Sequence, residues 1–244
     1  MSDHSKPLGR NKPPDTVHIE KYPLTALEAP PTKVPVPVGV NWYSAFDRPA
    51  QGTDGRWRVT LGSTGGTVRG GHCFSFEPPG EPDTERNWTF YDQGSEGACE
   101  GFGHARAMTL MKGQLLDAWW LYDDARRDEG TYPEGEGATN RHACAALAKW
   151  GVHTVKAEYP GGPPAVIERV AWKENVPGFE VASYHWASTV EQVIASLGFP
   201  STANELPFLN SWGRGGYEHR VWMPVDVLAR LLSEEGEASV LVPR

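Results

Sequence analysis

Apolar and polar positions change their period several times along this chain. Residues 1 to 33 show no regular period; they are rich in proline and charge, with a short apolar patch from Tyr22 to Leu27, and read as an extended arm. From Val34 the run VPVPVGVNWY alternates and is rich in β-formers, which predicts a strand. Pro35 and Pro37 place that strand at a sheet edge, because proline has no N–H to offer a second neighbour. A loop or hairpin containing the strand-like RWRVTL follows. GGHCFSF then reads as a strand entered through a glycine pair, and EPPGEPDTERN as a loop.

Beyond Cys99 the period becomes helical. GFGHARAMTLMKG continues a helix begun near Ala98, and LLDAWWLYDDARRDE spaces its apolar residues for a second. ATNRHACAALAKW predicts a third, with Thr139 or Asn140 near its start and Gly151 stopping it. TVEQVIASLG is a short amphipathic helix ended by Gly198. PFLNSW reads as a strand, followed by a glycine turn, HRVWMP, and a last helix over PVDVLARLLSEEG with Pro224 suited to its first turn. β material at both ends with helices between makes the fold class α+β.

Composition narrows the function. Hydrophobic residues at 39% and ten tryptophans supply a real core for 244 residues, so the chain is globular and not disordered. A net charge of -8 without any polybasic run argues against a nucleic-acid partner. No apolar run approaches the roughly 18–20 residues a membrane helix needs. The polar N-terminus, MSDHSKPLGRNKPPD, lacks the apolar segment of a secretory signal. Cys73, Cys99 and Cys144 are odd in number and have no CxxC pair, so spacing predicts neither a disulfide framework nor a metal site, and no cofactor is expected. A reducing, cytoplasmic setting fits.

The stretch YDQGSEGACEGFG carries the chemistry. A thiol attacks a carbonyl as thiolate, and a helix N-terminus with a neighbouring histidine favours that form. Gly94 and Gly97 let the chain turn sharply into the helix at Cys99, leaving the sulfur at its positive end. The Cys99 backbone N–H and the Gln93 side-chain amide are then placed to bind an oxygen that becomes negative during attack.

DQGSEGAC resembles the cysteine-site motif of papain-like cysteine peptidases, especially the bacterial and bacteriophage-encoded branches, and FLNSWGRGGYEHRVWMP resembles that family's asparagine-bearing strand. The resemblance implies Cys99 as nucleophile, Gln93 as oxyanion donor, Asn210 as the residue orienting the catalytic histidine, and Trp212 as a shield over that hydrogen bond. YPEGEGATNRHACAALAKWGV with EYP resembles the substrate-cleft segment, so Gly135, with Gly97, Glu100 and Trp212, is expected to contact substrate. The family's His-bearing strand normally lies shortly before NSWG, where this chain has only FPSTANELP. VPVGVNWYSAF and GGHCFSF resemble that strand pair instead, which implies a transposed segment at 34–77 and His72 as base. His185 in SYHWAS ranks second. His104 points elsewhere on the Cys99 helix, and His142, His153 and His219 are read as surface or packing residues.

The implied organisation is an arm over 1–33 and a papain-like catalytic domain over 34–244. Within it, 34–77 is the transposed β segment, 88–198 the helical lobe and 206–244 the Asn strand with the last helix. The expected reaction is hydrolysis of peptide or isopeptide bonds through a thioester, on a protein or peptide substrate. A phage-encoded member would have a virion or host-protein partner and a virion-associated location. Glu100 stands where the family has an aromatic or aliphatic residue; pointing inward it would oppose thiolate formation, and otherwise it would face solvent or line a cleft preferring basic substrates. Glu96 stands where secreted relatives carry a disulfide cysteine. Cys73 and Cys144 are read as packing residues, the Asp123, Asp124, Asp128, Glu129 run as a solvated helix face, and Trp119–Trp120 as core. Two alternatives stay open: a catalytically inactive papain-like binding or virion-structural module, and a related thiol hydrolase or acyltransferase.

Overall fold

A computed structural model describes residues 22–62, 65–80, 91–155, 178–212 and 220–244. Its strands are β1 (Val36–Tyr43), β2 (Ala50–Gln51), β3 (Trp57–Arg58), β4 (Val68–Phe76), β5 (Val181–Ala187), β6 (Glu205–Leu209), β7 (Arg220–Pro224) and β8 (Glu237–Pro243). The helices are α1 (Cys99–Lys112), α2 (Ala118–Glu129), α3 (Asn140–Lys149), α4 (Val190–Leu197) and α5 (Val225–Ser233). The strands form one sheet ordered β2-β3-β7-β6-β4-β1-β8-β5. Most of the arm, the 81–90 loop, the EYP segment and the glycine turn after Trp212 lie outside the described residues.

The helix boundaries follow local chemistry. Asp117, Thr139 and Thr189 each accept a first-turn backbone N–H at the starts of α2, α3 and α4, and Thr189 with Gln192 forms a full capping box. Gly198 closes α4 at φ 79°, a left-handed conformation that favours glycine.

β1 corrects the edge-strand expectation: it lies inside the sheet, paired along its length with β4 and at Val38 and Gly39 with β8. The Pro37 carbonyl faces β8, where it accepts from the Ser239 hydroxyl. In an antiparallel strand the N and C=O of one residue face the same side. The missing N–H of Pro37 therefore also lies toward β8, where pairing begins only at Val38, and interrupts nothing toward β4. β5 and β8 were not expected as strands. Their small and polar residues (VASYHWA, EASVLVP) have weak local signals and gain strand character by pairing with each other from Val181↔Pro243 to Ala187↔Ala238. RWRVTL forms only the two-residue β3.

Two hydrophobic cores fill the molecule. One gathers alternate residues of β1 and β4 (Val36, Val38, Val40, Trp42, Phe74, Phe76) with Phe208 and with Leu197 and Leu228 of α4 and α5. The other packs α1, α2 and α3 through Phe102, Met108, Leu121, Tyr122 and Leu147. α1 is buried on every side from Cys99 to Thr109, so its polar residues must find partners inside the protein. It approaches α2 closely enough to require Gly101, where an added Cβ would lie 2.5 Å from the Tyr122 Cβ and 2.7 Å from the Ala118 carbonyl oxygen.

Gly101→Ala is expected to destabilise the protein by about 1–3 kcal/mol, as overpacking does, despite the roughly 1 kcal/mol gained in helix propensity. Urea unfolding reads this directly, and a raised midpoint would contradict the close approach.

Candidate active site

β4 and β6 pair only at Ser75↔Leu209 and Phe76↔Phe208, and then the two strands part. α1 packs against β4 beside this opening, with Gly103 against the Cys73 sulfur and the Phe74 backbone. Gly94, at φ 61°, turns the chain ahead of it, and its N–H donates to the Asp92 carboxylate at 2.8 Å. This sets Cys99 as the first residue of α1, after Ala98, which supplies no side-chain cap. The backbone N–H groups of Cys73, Glu100 and Cys99 itself lie close enough to the Cys99 sulfur to favour its thiolate. The Cys73 N–H belongs to the peptide joining it to His72, so the thiol lies against the chain at the imidazole's own residue.

Burial pushes the Cys99 thiol up to about 12, and the Glu100 carboxyl pushes in the same direction. The three backbone N–H groups pull the other way, as a helix N-terminus should. The neutral thiol is therefore the resting form.

His72 and Asn210, expected as base and orienting amide, meet across the gap: His72 Nε2 lies 2.7 Å from Asn210 Oδ1. The same oxygen accepts the Ser211 backbone N–H at 2.8 Å, which fixes which end of the amide faces the ring. An amide oxygen only accepts, so Nε2 carries the ring proton and Nδ1 keeps its lone pair. Nδ1 is buried and has no hydrogen-bond partner. Burial lowers the ring's pKa to about 4, against the raising effect of the Asn210 bond. Trp42 packs edge-on at 4.7 Å between centroids, and Trp212, the expected shield, lies 5.2 Å from the ring at 33°.

Gln93 is clasped to the residue after Asn210. Its N–H donates to the Ser211 carbonyl at 2.9 Å, and its side-chain oxygen accepts the Ser211 hydroxyl. Its Nε2 donates one hydrogen to the Glu96 carbonyl at 3.0 Å, leaving the second N–H of the amide. Ser211 and Trp42 were not singled out in the sequence. Ser211 stands inside NSW, and Trp42 lies in the NWY run before the strand turn, so each had a local signal.

The remaining expectations sort by burial and topology. Gly97 lies buried just ahead of Cys99, and Gly135 is half-buried in the turn after α2, its N–H donating to the Thr131 carbonyl. Glu100 takes the inward orientation, which raises the thiol, and does not face solvent or line a cleft: it is 2% exposed, beneath Gly39 and beside His104. His185 is on edge strand β5, three strand spacings from β4, about 14 Å away, with its Nε2 3.1 Å from Ser183 Oγ. His142 pairs with Asp128, His153 stacks on Trp120, and His219 lies outside the described residues. Asp123 and Asp124 are buried, not solvated, because α2 packs between α1 and α3. Trp119 and Trp120 are buried, as expected of core residues.

Cys73 and Cys144 are more than packing residues. Both lie against the His104 ring, Cys73 Sγ at 3.9 Å from Nδ1 and Cys144 Sγ at 3.4 Å from Nε2. Asn140 and Ser239 complete the cluster, which is therefore a second grouping of cysteine, histidine and asparagine. Cys73, His104 and Cys144 are all 0% exposed, against 4% for Cys99 and Gln93. The two groupings share a strand but not a face: His72 sides with Trp42 and Phe74, Cys73 with α1.

No protein-family model matches the chain, and no curated protein matches it. Among solved structures, Xylellain, a cysteine protease from Xylella fastidiosa, aligns over 98% of this chain and 97% of its own, with a TM-score of 0.51 and 16% identity. The Amb a 11 cysteine protease of ragweed pollen, in its proform, aligns over 66% of this chain with a TM-score of 0.44 and 13% identity; this chain spans 65% of that one. The digestive procathepsin L 3 of Tenebrio molitor aligns over 68% of this chain and 72% of its own, with a TM-score of 0.46 and 13% identity. With the Xylellain alignment running end to end, the fold is papain-like α+β.

Proposed function

We propose that this chain is a cysteine peptidase of the papain-like type, of the bacterial and bacteriophage branch, with Cys99 as nucleophile, His72 as base, Asn210 as the residue that positions the ring, and Gln93 as oxyanion donor. On this reading residues 34–77 are the His-bearing segment transposed ahead of the nucleophile, which reactivity permits because geometry and not chain order defines such a site. The reading rests on the His72–Asn210 bond. It joins residues 138 positions apart, sets the ring proton on Nε2, and leaves the Nδ1 lone pair available as an acceptor.

The chemistry follows from those positions. Nδ1 takes the Cys99 proton as sulfur attacks the carbonyl carbon of a peptide or isopeptide bond. The Cys99 N–H and the free Gln93 N–H stabilise the oxyanion. The imidazolium returns its proton to the departing amine, leaving a thioester. Water, deprotonated by Nδ1, then adds to that carbonyl, and the thiol leaves with the proton.

One feature favours the inactive module instead: burial and the neighbouring Glu100 carboxyl push the Cys99 thiol up to about 12. Iodoacetamide labelling followed by peptide mapping separates the two. A peptidase predicts one fast label, at Cys99, with the rate reduced at least tenfold in His72→Ala. Labelling that is equally slow at all three cysteines, and unchanged in His72→Ala, would leave a papain-like fold without its chemistry.

A further inference from the structure

We propose that Cys73, Glu100 and His104 form a divalent-cation site suited to Zn2+, set beneath the thiol–imidazole pair. The cysteine sulfur, a carboxylate oxygen and a ring nitrogen all lie within 4.8 Å of one another. Cys73 Sγ is 3.9 Å, and Glu100 Oε2 3.7 Å, from His104 Nδ1. Tetrahedral zinc, with bonds of about 2.0–2.3 Å, holds such donors about 3.3–3.6 Å apart. The two separations from His104 exceed that by only a few tenths of an ångström, and the third is no more than 4.8 Å.

A second observation points to the ion independently of this clustering. Glu100 is 2% exposed, and its Oε2 has no hydrogen-bond partner. A buried carboxylate oxygen without a partner is costly, and a cation is one of the few groups that satisfies it. Of the charges that act on this carboxyl, Glu237 and Glu129 are both negative, which favours a cation further.

The surroundings fit ligation of the ring. In the metal-free form Nδ1 donates to the Glu100 carbonyl at 2.9 Å. To bind a metal through Nδ1, the ring must move its proton to Nε2. The Ser239 hydroxyl, 3.3 Å from Nε2, is placed to receive it, since its own hydrogen goes to the Pro37 carbonyl. Burial pushes the Glu100 carboxyl up to about 8, so binding displaces its proton as well as the Cys73 thiol proton, and both are released as the ion enters.

These ligands were not visible as a motif because they come from β4 and from two turns of α1. Cys73 follows His72 and Glu100 follows Cys99 in the chain, so an ion here would hold both backbones. The site does not depend on Cys99 being catalytic.

Titration of the full, chelator-treated chain with Co2+ alone tests it. The expected result is a 1:1 endpoint with a near-ultraviolet thiolate-to-cobalt band that an equivalent of Zn2+ removes. Cys73→Ser should abolish the band. Glu100→Gln, a near-isosteric change, should weaken binding beyond the roughly 10–100-fold typical of an outer-shell loss. Cys99→Ala and Cys144→Ser should keep both band and stoichiometry. A band that survives Cys73→Ser, or that requires Cys99 or Cys144, overturns the proposal. So does absence of binding both to the native protein and on refolding with Co2+.

Discussion

Cys99→Ala is expected to lower hydrolysis of a fluorogenic peptide amide by about four to six orders of magnitude, because the group that forms the covalent bond is gone. No other thiol can substitute. Cys73 lies on the α1 face of β4, opposite His72, and Cys144 sits behind the His104 ring; both are fully buried. His72→Ala should cost nearly as much, since base and nucleophile act as a unit and their losses do not add. Asn210→Ala should cost less but visibly change the pH profile. Without the Oδ1 acceptor, Nε2 no longer must carry the proton, and the Nδ1 lone pair is no longer assured. Cys99→Ala removes only a sulfur, so its unfolding midpoint should stay near that of the parent. If hydrolysis persists in Cys99→Ala and disappears in Cys73→Ala, the second cysteine–histidine grouping is the catalytic one and the assignment falls.

Trp42→Ala should destabilise the protein by about 3–5 kcal/mol, a large part of the roughly 5–15 kcal/mol that holds a domain folded. The side chain is fully buried and packs edge-on against Phe46 at 5.1 Å, His72 at 4.7 Å and Trp212 at 5.2 Å. Its indole N–H also donates to Asp47 at 2.9 Å. Trp42→Phe keeps a ring in the cavity but loses that donor, while Asp47 retains its ion pair with Arg69. The milder variant should therefore lose only about 1–2 kcal/mol. Because the ring also walls the imidazole, Trp42→Phe should lower kcat more than it raises KM. A Trp42→Ala midpoint within about 1 kcal/mol of the parent would show that the indole is not part of the core.

Much of this fold was legible along the chain because its signals are local. The caps at Asp117, Thr139 and Thr189, and the glycine after α4, are decided by neighbouring backbone groups, and those helices form as expected. The strand around His72 announced itself by β-forming residues after a glycine pair. Pro37 misled, since a missing N–H marks an edge only if a neighbour needs it, and the backbone pairing of β1 with β8 begins only at Val38. β5 and β8 were illegible for a related reason: their strand character comes from each other, across more than 50 positions.

The same division runs through the site. Cys99, Gln93 and Asn210 stand out in the sequence because a cysteine at a helix start, an amide six residues earlier and an Asn-Ser-Trp strand end are compact patterns. Among the described histidines, the proposed pairing of His72 with them rests on strand adjacency. β4 lies beside β6, which brings His72 to Asn210 and leaves His185 at the far edge. The inward turn of Glu100, and its convergence with Cys73 and His104, also required the packed structure. Local periodicity determines what each segment becomes; which distant side chains share a desolvated volume depends on how the sheet pairs, and no short window of sequence contains that information.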